Sequence, residues 1–237
     1  MAKGFFITGT DTGVGKTIIT GAVISALKAC GINTCGMKPF ETGCRRQGDR
    51  LIPADGLFIK GISEMDEDIS HITPYCFETP AAPLVASEME GIDIDLSTVI
   101  SAFTGLAVKY GAVVVEGAGG ILVPVKRNYF MSDLIRDLGL PAIVVTRPSL
   151  GAINHSLLTV RYALKEGLAV AGIAINFCMP PDNSIAERTN PEIIRQMSPV
   201  PVIGLFPHLE PPDYENIREA ASRHLDTDIL TKYLLRD

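Results

Sequence analysis

The chain has 237 residues, of which 46% are hydrophobic and 20% charged, with a net charge of −6 and a pI near 5.3. This is the composition of a soluble globular protein, and the length fits one domain over residues 1–237 with a sizeable core. The acidic balance, without any run of Lys or Arg, argues against nucleic-acid binding, and no apolar stretch approaches the roughly 20 residues of a membrane helix.

The cysteines, Cys30, Cys35, Cys44, Cys76 and Cys178, are odd in number and have no C-x-x-C spacing. That pattern points away from a disulfide framework or a structural zinc and toward a reducing cytoplasm. The opening MAKGFFITGT has no signal-peptide layout, so a cytoplasmic location is expected.

Apolar runs and amphipathic stretches alternate along the chain. Strand 4–8 is followed by helix 17–29, strand 34–37, helices 55–60 and 96–109, and strand 112–115. Then come helix 132–138, strand 142–145, helix 152–165, strand 170–175, a loop over 178–190, helix 191–196, strand 202–205 and helix 214–224. The runs are rich in Val and Ile without strict alternation, as strands buried on both faces are. The order predicts an α/β fold with a mainly parallel sheet and helices on both faces. In such sheets ligands gather at the carboxyl ends of the strands.

The first strand ends in Gly9-Thr10-Asp11-Thr12-Gly13-Val14-Gly15-Lys16-Thr17, and a helix follows. That is the context of a phosphate-binding loop, and it makes the fold P-loop NTPase-like. Glycines turn backbone N–H groups toward phosphate oxygens, and the helix dipole adds to the attraction. Lys16 is placed to neutralise the β and γ phosphates, and Thr17 to offer its hydroxyl to magnesium. Five residues rather than four separate Gly9 from Gly15-Lys16-Thr17, and Asp11 stands where partitioning and nitrogenase-iron-protein ATPases carry a signature lysine.

Further candidates follow other strands. The run Val113-Val114-Val115 ends in Glu116, an acid able to face the magnesium held by Thr17, and Gly117-Ala118-Gly119-Gly120 allows close approach of the chain to ligand. Lys38 lies just past the second strand, with Thr42 and Gly43 leading into the cleft. Asp55 opens a helix and reads either as its cap or as a metal ligand, with Asp49 a competing acid nearby. His71, His155, His208 and His224 are dispersed, without metal-ligand spacing, and no serine has a nucleophile-elbow context.

Together these segments resemble the dethiobiotin synthetase family over nearly the whole chain. The resemblance is carried by Thr8-Gly9-Thr10-Asp11-Thr12 leading into Gly15-Lys16-Thr17, by Lys38-Pro39 with Thr42-Gly43, and by Glu116-Gly117-Ala118-Gly119-Gly120. Leu150-Gly151-Ala152-Ile153-Asn154-His155 and Gly204-Leu205-Phe206-Pro207 complete it.

The resemblance implies a reaction in which 7,8-diaminopelargonic acid, CO2 (or bicarbonate) and ATP give dethiobiotin, ADP and phosphate, through a carbamate and a carbamic–phosphoric mixed anhydride. Carried onto this chain, it implies magnesium on Thr17, Asp55 and Glu116, with Lys16 and Lys38 as the catalytic cations. Thr12, Gly13, Val14, Gly15, Lys16, Thr17, Glu116, Gly117, Ala118 and Gly119 would hold the nucleotide, with Asn176, Pro207, His208 and Leu209 at the adenine. Thr12 and Thr42 would line the diamine site. Gly151 and Asn154 would bind its carboxylate from a neighbouring subunit, which implies a homodimer with shared sites. Lys126 and Arg127 stand where more acidic or polar residues are expected. The alternative is a partitioning-type switch ATPase, which would need the signature lysine and a basic face or amphipathic tail. An ATP-dependent amidase would need a glutaminase domain for which the chain is too short.

Overall fold

Six apolar runs pair into one parallel sheet. The computed structural model describes residues 3–234, and the chain runs β1 (Gly4–Gly9), α1 (Lys16–Ala29), β2 (Thr34–Met37), β3 (Phe40–Thr42), β4 (Arg45–Gln47), β5 (Arg50–Ile52), α2 (Ala54–Ser63), α3 (Ile69–Ile72), β6 (Tyr75–Phe77), α4 (Pro83–Glu90) and α5 (Leu96–Lys109). It continues β7 (Ala112–Gly120), β8 (Pro124–Lys126), β9 (Tyr129–Phe130), α6 (Met131–Leu138), β10 (Ala142–Thr146), α7 (Ala152–Lys165), β11 (Val170–Asn176), α8 (Ile185–Met197), β12 (Val202–Phe206), α9 (Tyr214–His224) and α10 (Thr227–Leu234).

The sheet order is β12-β11-β10-β1-β7-β2, and every neighbouring pair is parallel. β1, β2, β10 and β11 are buried along their whole lengths. Helices cover both faces, which is why these strands read as continuous apolar runs. α1 packs against α2, α9 and α10, while α7 packs against α8, β10 and β11, and α5 and α6 lie on β7. The core is one continuous cluster from Phe5 to Leu234. Among the described residues, no helix is long and apolar enough to cross a membrane.

The chain leaves β1 through α1 toward the β2 edge, and leaves β10 through α7 toward β11, in the opposite direction. β1 and β10 are adjacent, so the crevice beyond their carboxyl ends is the topological switch point where parallel sheets bind ligands. The phosphate loop starts there.

Several expected bounds change, and the strand expected at 112–115 continues to Gly120. The stretch expected as loop over 178–190 is helical from Ile185, so the helix expected at 191–196 spans Ile185–Met197 with Pro191 inside it. Ser184 is the true start: its hydroxyl accepts the Glu187 N–H at 3.2 Å, and the Glu187 carboxylate accepts from the N–H groups of Asp182 and Asn183. Pro191 resembles a first-turn proline in sequence, but here it only removes one donor from a helix already capped upstream. The helix expected at 55–60 runs Ala54–Ser63. The short pairs β3–β6, β4–β5 and β8–β9 have two or three residues per strand, too few to leave a periodic signal.

Candidate active site

Residues 9–17 connect the carboxyl end of β1 to α1 as expected of a phosphate loop. Gly15 is the N-cap, in the left-handed region at φ 82° and with no side-chain cap, so the first N–H groups of α1 stay open to an anion. Val14 turns its side chain into the core, while its carbonyl accepts a hydrogen bond from the Asn176 side chain at 3.0 Å. Lys16 is only 7% exposed and donates to the Asp11 carbonyl at 3.2 Å. Burial, and then the nearby Lys38 ammonium, lower its pKa to about 8. A buried cation at a helix N-terminus gains most from an arriving polyanion.

Opposite the loop, Glu116 lies in the buried part of β7 directly after Val113-Val114-Val115, and Lys38 follows β2. The Lys38 ammonium donates to Glu116 Oε1 at 2.5 Å and lies 3.0 Å from Asp55 Oδ2. Burial alone would pull the Lys38 pKa down, but the Glu116 and Asp55 carboxylates outweigh it and hold the ammonium above its usual range. The Thr17 hydroxyl donates to the same Glu116 oxygen at 3.0 Å. Glu116 Oε2 is buried without a partner. That orphaned oxygen, beside the Thr17 hydroxyl and the half-exposed Asp55 carboxylate, suits a hard divalent cation. Among the described residues no group of three or more His, Cys, Asp or Glu could hold a metal by itself, so a cation here must take further oxygens from a ligand. Magnesium on a nucleotide is held in that way, by few protein groups and several phosphate and water oxygens.

Asp55 is not a helix cap. Pro53 is the N-cap of α2, and its ring has no group to accept the open N–H donors. Glu41, in β3, does this instead: Oε1 accepts from Asp55 N–H and Oε2 from Gly56 N–H, both at 2.9 Å. Burial raises the Glu41 pKa, and these two bonds oppose the rise. No motif in the sequence marks Glu41. The one sequence-level signal was a helix starting at Pro53-Ala54-Asp55 without a Ser, Thr, Asp or Asn before it, which leaves its donors to be satisfied from elsewhere.

These groups line a cleft of about 710 Å³. Thr12, Gly13, Gly15, Lys16 and Thr17 form one side, Lys38, Glu41, Thr42 and Asp55 another, and Glu116, Ala118 and Gly119 the floor. Phe40 and the segment from Pro80 to Pro83 add apolar walls, which suit an aliphatic chain. Gly117 does not line the cleft; a Cβ on it would crowd the Phe6 ring, so it is a packing glycine. Asn176 is buried at the end of β11, and Pro207, His208 and Leu209 follow β12 beside it, half-buried. Gly151 and Asn154 are exposed at the start of α7, outside the cleft lining of this chain. Asp49 is exposed in the β4–β5 turn and does not line the cleft. Lys126 and Arg127 form surface ion pairs with Asp93 at 3.1 Å and Glu88 at 2.9 Å.

A family model described as an AAA domain matches residues 3–216. The ATP-dependent dethiobiotin synthetase BioD of Thermodesulfovibrio yellowstonii is 42% identical, over 97% of this chain and 99% of its own length. The enzyme of the same name from Bacillus subtilis strain 168 is 39% identical over 96% of this chain and 97% of its own length. Among solved structures, the septum site-determining protein MinD of Pyrococcus horikoshii with Mg-ADP aligns over 99% of this chain and 95% of its own, with a TM-score of 0.53 and 18% identity. A ParA family ATPase of Chlorobium tepidum aligns over 99% and 98%, with a TM-score of 0.54 and 15% identity. The structural likeness is one of fold, that of P-loop ATPases, whereas the sequence likeness spans whole chains at more than twice the identity. On that ground the chain belongs to the ATP-dependent dethiobiotin synthetase family.

Proposed function

We propose that this protein uses ATP to join 7,8-diaminopelargonic acid and CO2 into dethiobiotin, releasing ADP and phosphate. The observation that carries the reading is the meeting of Lys16, Lys38, Thr17, Asp55 and Glu116 in one cleft that also has apolar walls at Phe40 and Pro80–Pro83. Two anions, a carbamate and a triphosphate, must react there, and only fixed cations in a dry site bring them together.

The chain's own residues divide the work. The open N–H groups of α1 and the Lys16 ammonium hold the β and γ phosphates. Thr12 and Thr42 position the diamine along the apolar wall. Lys38, charged and buried, holds the carbamate formed when one neutral amine captures CO2. A carbamate oxygen attacks the γ-phosphorus and ADP leaves. The second amine then attacks the carbonyl carbon of the mixed anhydride, phosphate departs, and the ureido ring closes. Asn176 and the turn Pro207, His208 and Leu209 receive the adenine. Thr17, Asp55 and Glu116 are the residues that would hold magnesium, which when bound neutralises phosphate charge.

The same reading makes residues 1–237 one domain, supported by the single continuous core, and places it in the cytoplasm, supported by five free cysteines. It also makes the protein a homodimer. Leu150 at 91% and Leu158 at 60% exposure, at the start of and on α7, leave apolar surface beside Gly151 and Asn154 for a second copy.

The test is mass spectrometry of the product from the diamine, 13C-bicarbonate and ATP. Dethiobiotin carrying one heavy carbon, with phosphate release that requires both diamine and bicarbonate, is expected. Phosphate release indifferent to both substrates would overturn the reading in favour of a switch ATPase.

A further inference from the structure

Glu41 is a buried carboxylate, 6% exposed, in the middle of the three-residue strand β3. Both of its oxygens accept backbone N–H groups from the first turn of α2, at Asp55 and Gly56. Among the described residues no other side chain caps that turn, and its one backbone bond on this side runs from the Leu57 N–H to the Pro53 carbonyl at 2.9 Å. Pro53 offers no cap, and the chain between Thr42 and Pro53 makes the solvent-exposed hairpin β4–β5. Behind the turn, a Cβ on Gly56 would overlap the Thr73 hydroxyl, so α2 begins wedged between Glu41 and Thr73. The strand that carries Glu41 begins two residues after Lys38, and the Lys38 N–H is itself tied to the Ile72 carbonyl at 2.8 Å. The outcome of this bracing is the placement of the Asp55 carboxylate 3.0 Å from the Lys38 ammonium.

We propose that Glu41 is the positioning residue for Asp55. By chelating the N–H groups of Asp55 and Gly56 it fixes the one metal-facing side chain that does not come from the sheet or the phosphate loop. Thr17 and Glu116 stand on α1 and β7, whereas Asp55 stands in the first turn of α2, which packs against α1 and β2 and is entered through the exposed β4–β5 hairpin. This rests on the assignment of Asp55 to the magnesium site. Glutamine is the discriminating substitution. It has the same shape, but its amide nitrogen is a donor, so one of the two N–H groups would face another N–H.

The experiment measures binding of a fluorescent ADP analogue while magnesium is titrated, for the wild type, Glu41→Gln, Asp55→Asn and the double variant. Binding in EDTA gives each protein its own metal-free baseline, and the enhancement by magnesium is read against that baseline. Each single variant is expected to raise the magnesium concentration for half-maximal enhancement of binding by about tenfold or more, the scale for residues that orient metal ligands. The double variant is expected to match Asp55→Asn, because Glu41 acts through Asp55. A Glu41→Gln protein with the wild-type magnesium requirement, beside a raised one in Asp55→Asn, overturns the role of Glu41 and leaves the metal assignment standing. A double variant whose shift is the product of the two single shifts also overturns it. An unshifted Asp55→Asn removes Asp55 from the metal site and takes the inference with it. If Glu41→Gln does not fold, Glu41→Asp takes its place in the same cycle, since it draws the carboxylate back by one methylene.

Discussion

Asn176 at the end of β11 donates its side-chain amide to the Val14 carbonyl in the phosphate loop, at 3.0 Å and across 162 positions of sequence. This buried bond clasps the loop to a strand two places away in the sheet. The next residue, Gly15, sits at φ 82°, and a Cβ there would overlap the Asn176 amide nitrogen. Asn176→Ala strands the Val14 carbonyl and is expected to cost about 1–3 kcal/mol in urea unfolding. Gly15→Ala meets both the backbone and the clasp, and is expected to lose ADP binding altogether. Wild-type stability in Asn176→Ala, or wild-type ADP affinity in Gly15→Ala, would show that the clasp does not shape the loop.

Lys16 illustrates a cost accepted for function. Its pKa falls from 10.5 to about 8 in the fold, first through burial and then through Lys38. Between pH 8 and 10.5 the unfolded chain therefore keeps a proton that the folded chain has released, so this residue makes stability rise with pH across that window. Below pH 8 both states are protonated and the full cost, about 3 kcal/mol, remains. In metal-free, nucleotide-free protein, Lys16→Met is expected to be more stable than wild type at pH 7 by up to that amount. The difference should shrink as pH rises from 8 to 10.5, and the variant should make no product. A stability difference constant from pH 7 to 10.5 would contradict the burial argument.

The contrast between Lys16 and Glu41 shows what was legible in the sequence. Lys16 was readable because glycine, lysine and threonine at that spacing, after an apolar strand, have one common physical use. Glu116 was readable because a charged residue closes the run Val113-Val114-Val115, and the six central strands because burial on both faces leaves unbroken apolar runs. Glu41 was not readable, because its partners are the N–H groups of Asp55 and Gly56, and backbone donors carry no residue identity. The same holds for Val14, whose carbonyl, not its side chain, meets Asn176. The start of α8 is hidden in the sequence because Pro191 carries the signature of a first turn while Ser184 does the capping.

Lys38 joins stability to chemistry in a separable way. Lys38→Met leaves the Glu116 carboxylate, 1% exposed, without its ammonium partner, and breaking a buried pair on one side costs about 3–5 kcal/mol. Adding Glu116→Gln removes the stranded charge and is expected to restore much of that loss in urea unfolding. ATP binding should survive in Lys38→Met, because Lys16 and the α1 amides hold the phosphates, while ring closure should fail. Collapse of ATP affinity with unchanged turnover at saturation would make Lys38 a nucleotide residue instead.

The assembly can be tested by mixing two lesions. Gly151, at φ 91°, is the N-cap of α7 and offers no side-chain cap, and Asn154 lies exposed in the first turn. Neither lines the cleft formed by this chain, so if they bind the substrate carboxylate they do so in the cleft of a second copy. Free N–H groups and the helix dipole favour an anion at that point, and the diamine carries its carboxylate far from its reacting nitrogens. Lys16→Ala and Asn154→Ala chains are each expected to be nearly inactive alone. In a two-fold dimer with shared sites, a mixed pair gathers both lesions into one site and leaves the other intact. Random pairing makes half of the dimers mixed, so co-refolding should recover about one quarter of wild-type activity. A ratio series in which recovery peaks at equal amounts would confirm the pairing. If the mixture stays as inactive as its parents while labelled chains demonstrably exchange, each site is contained within one subunit, and Gly151 and Asn154 have no part in substrate binding.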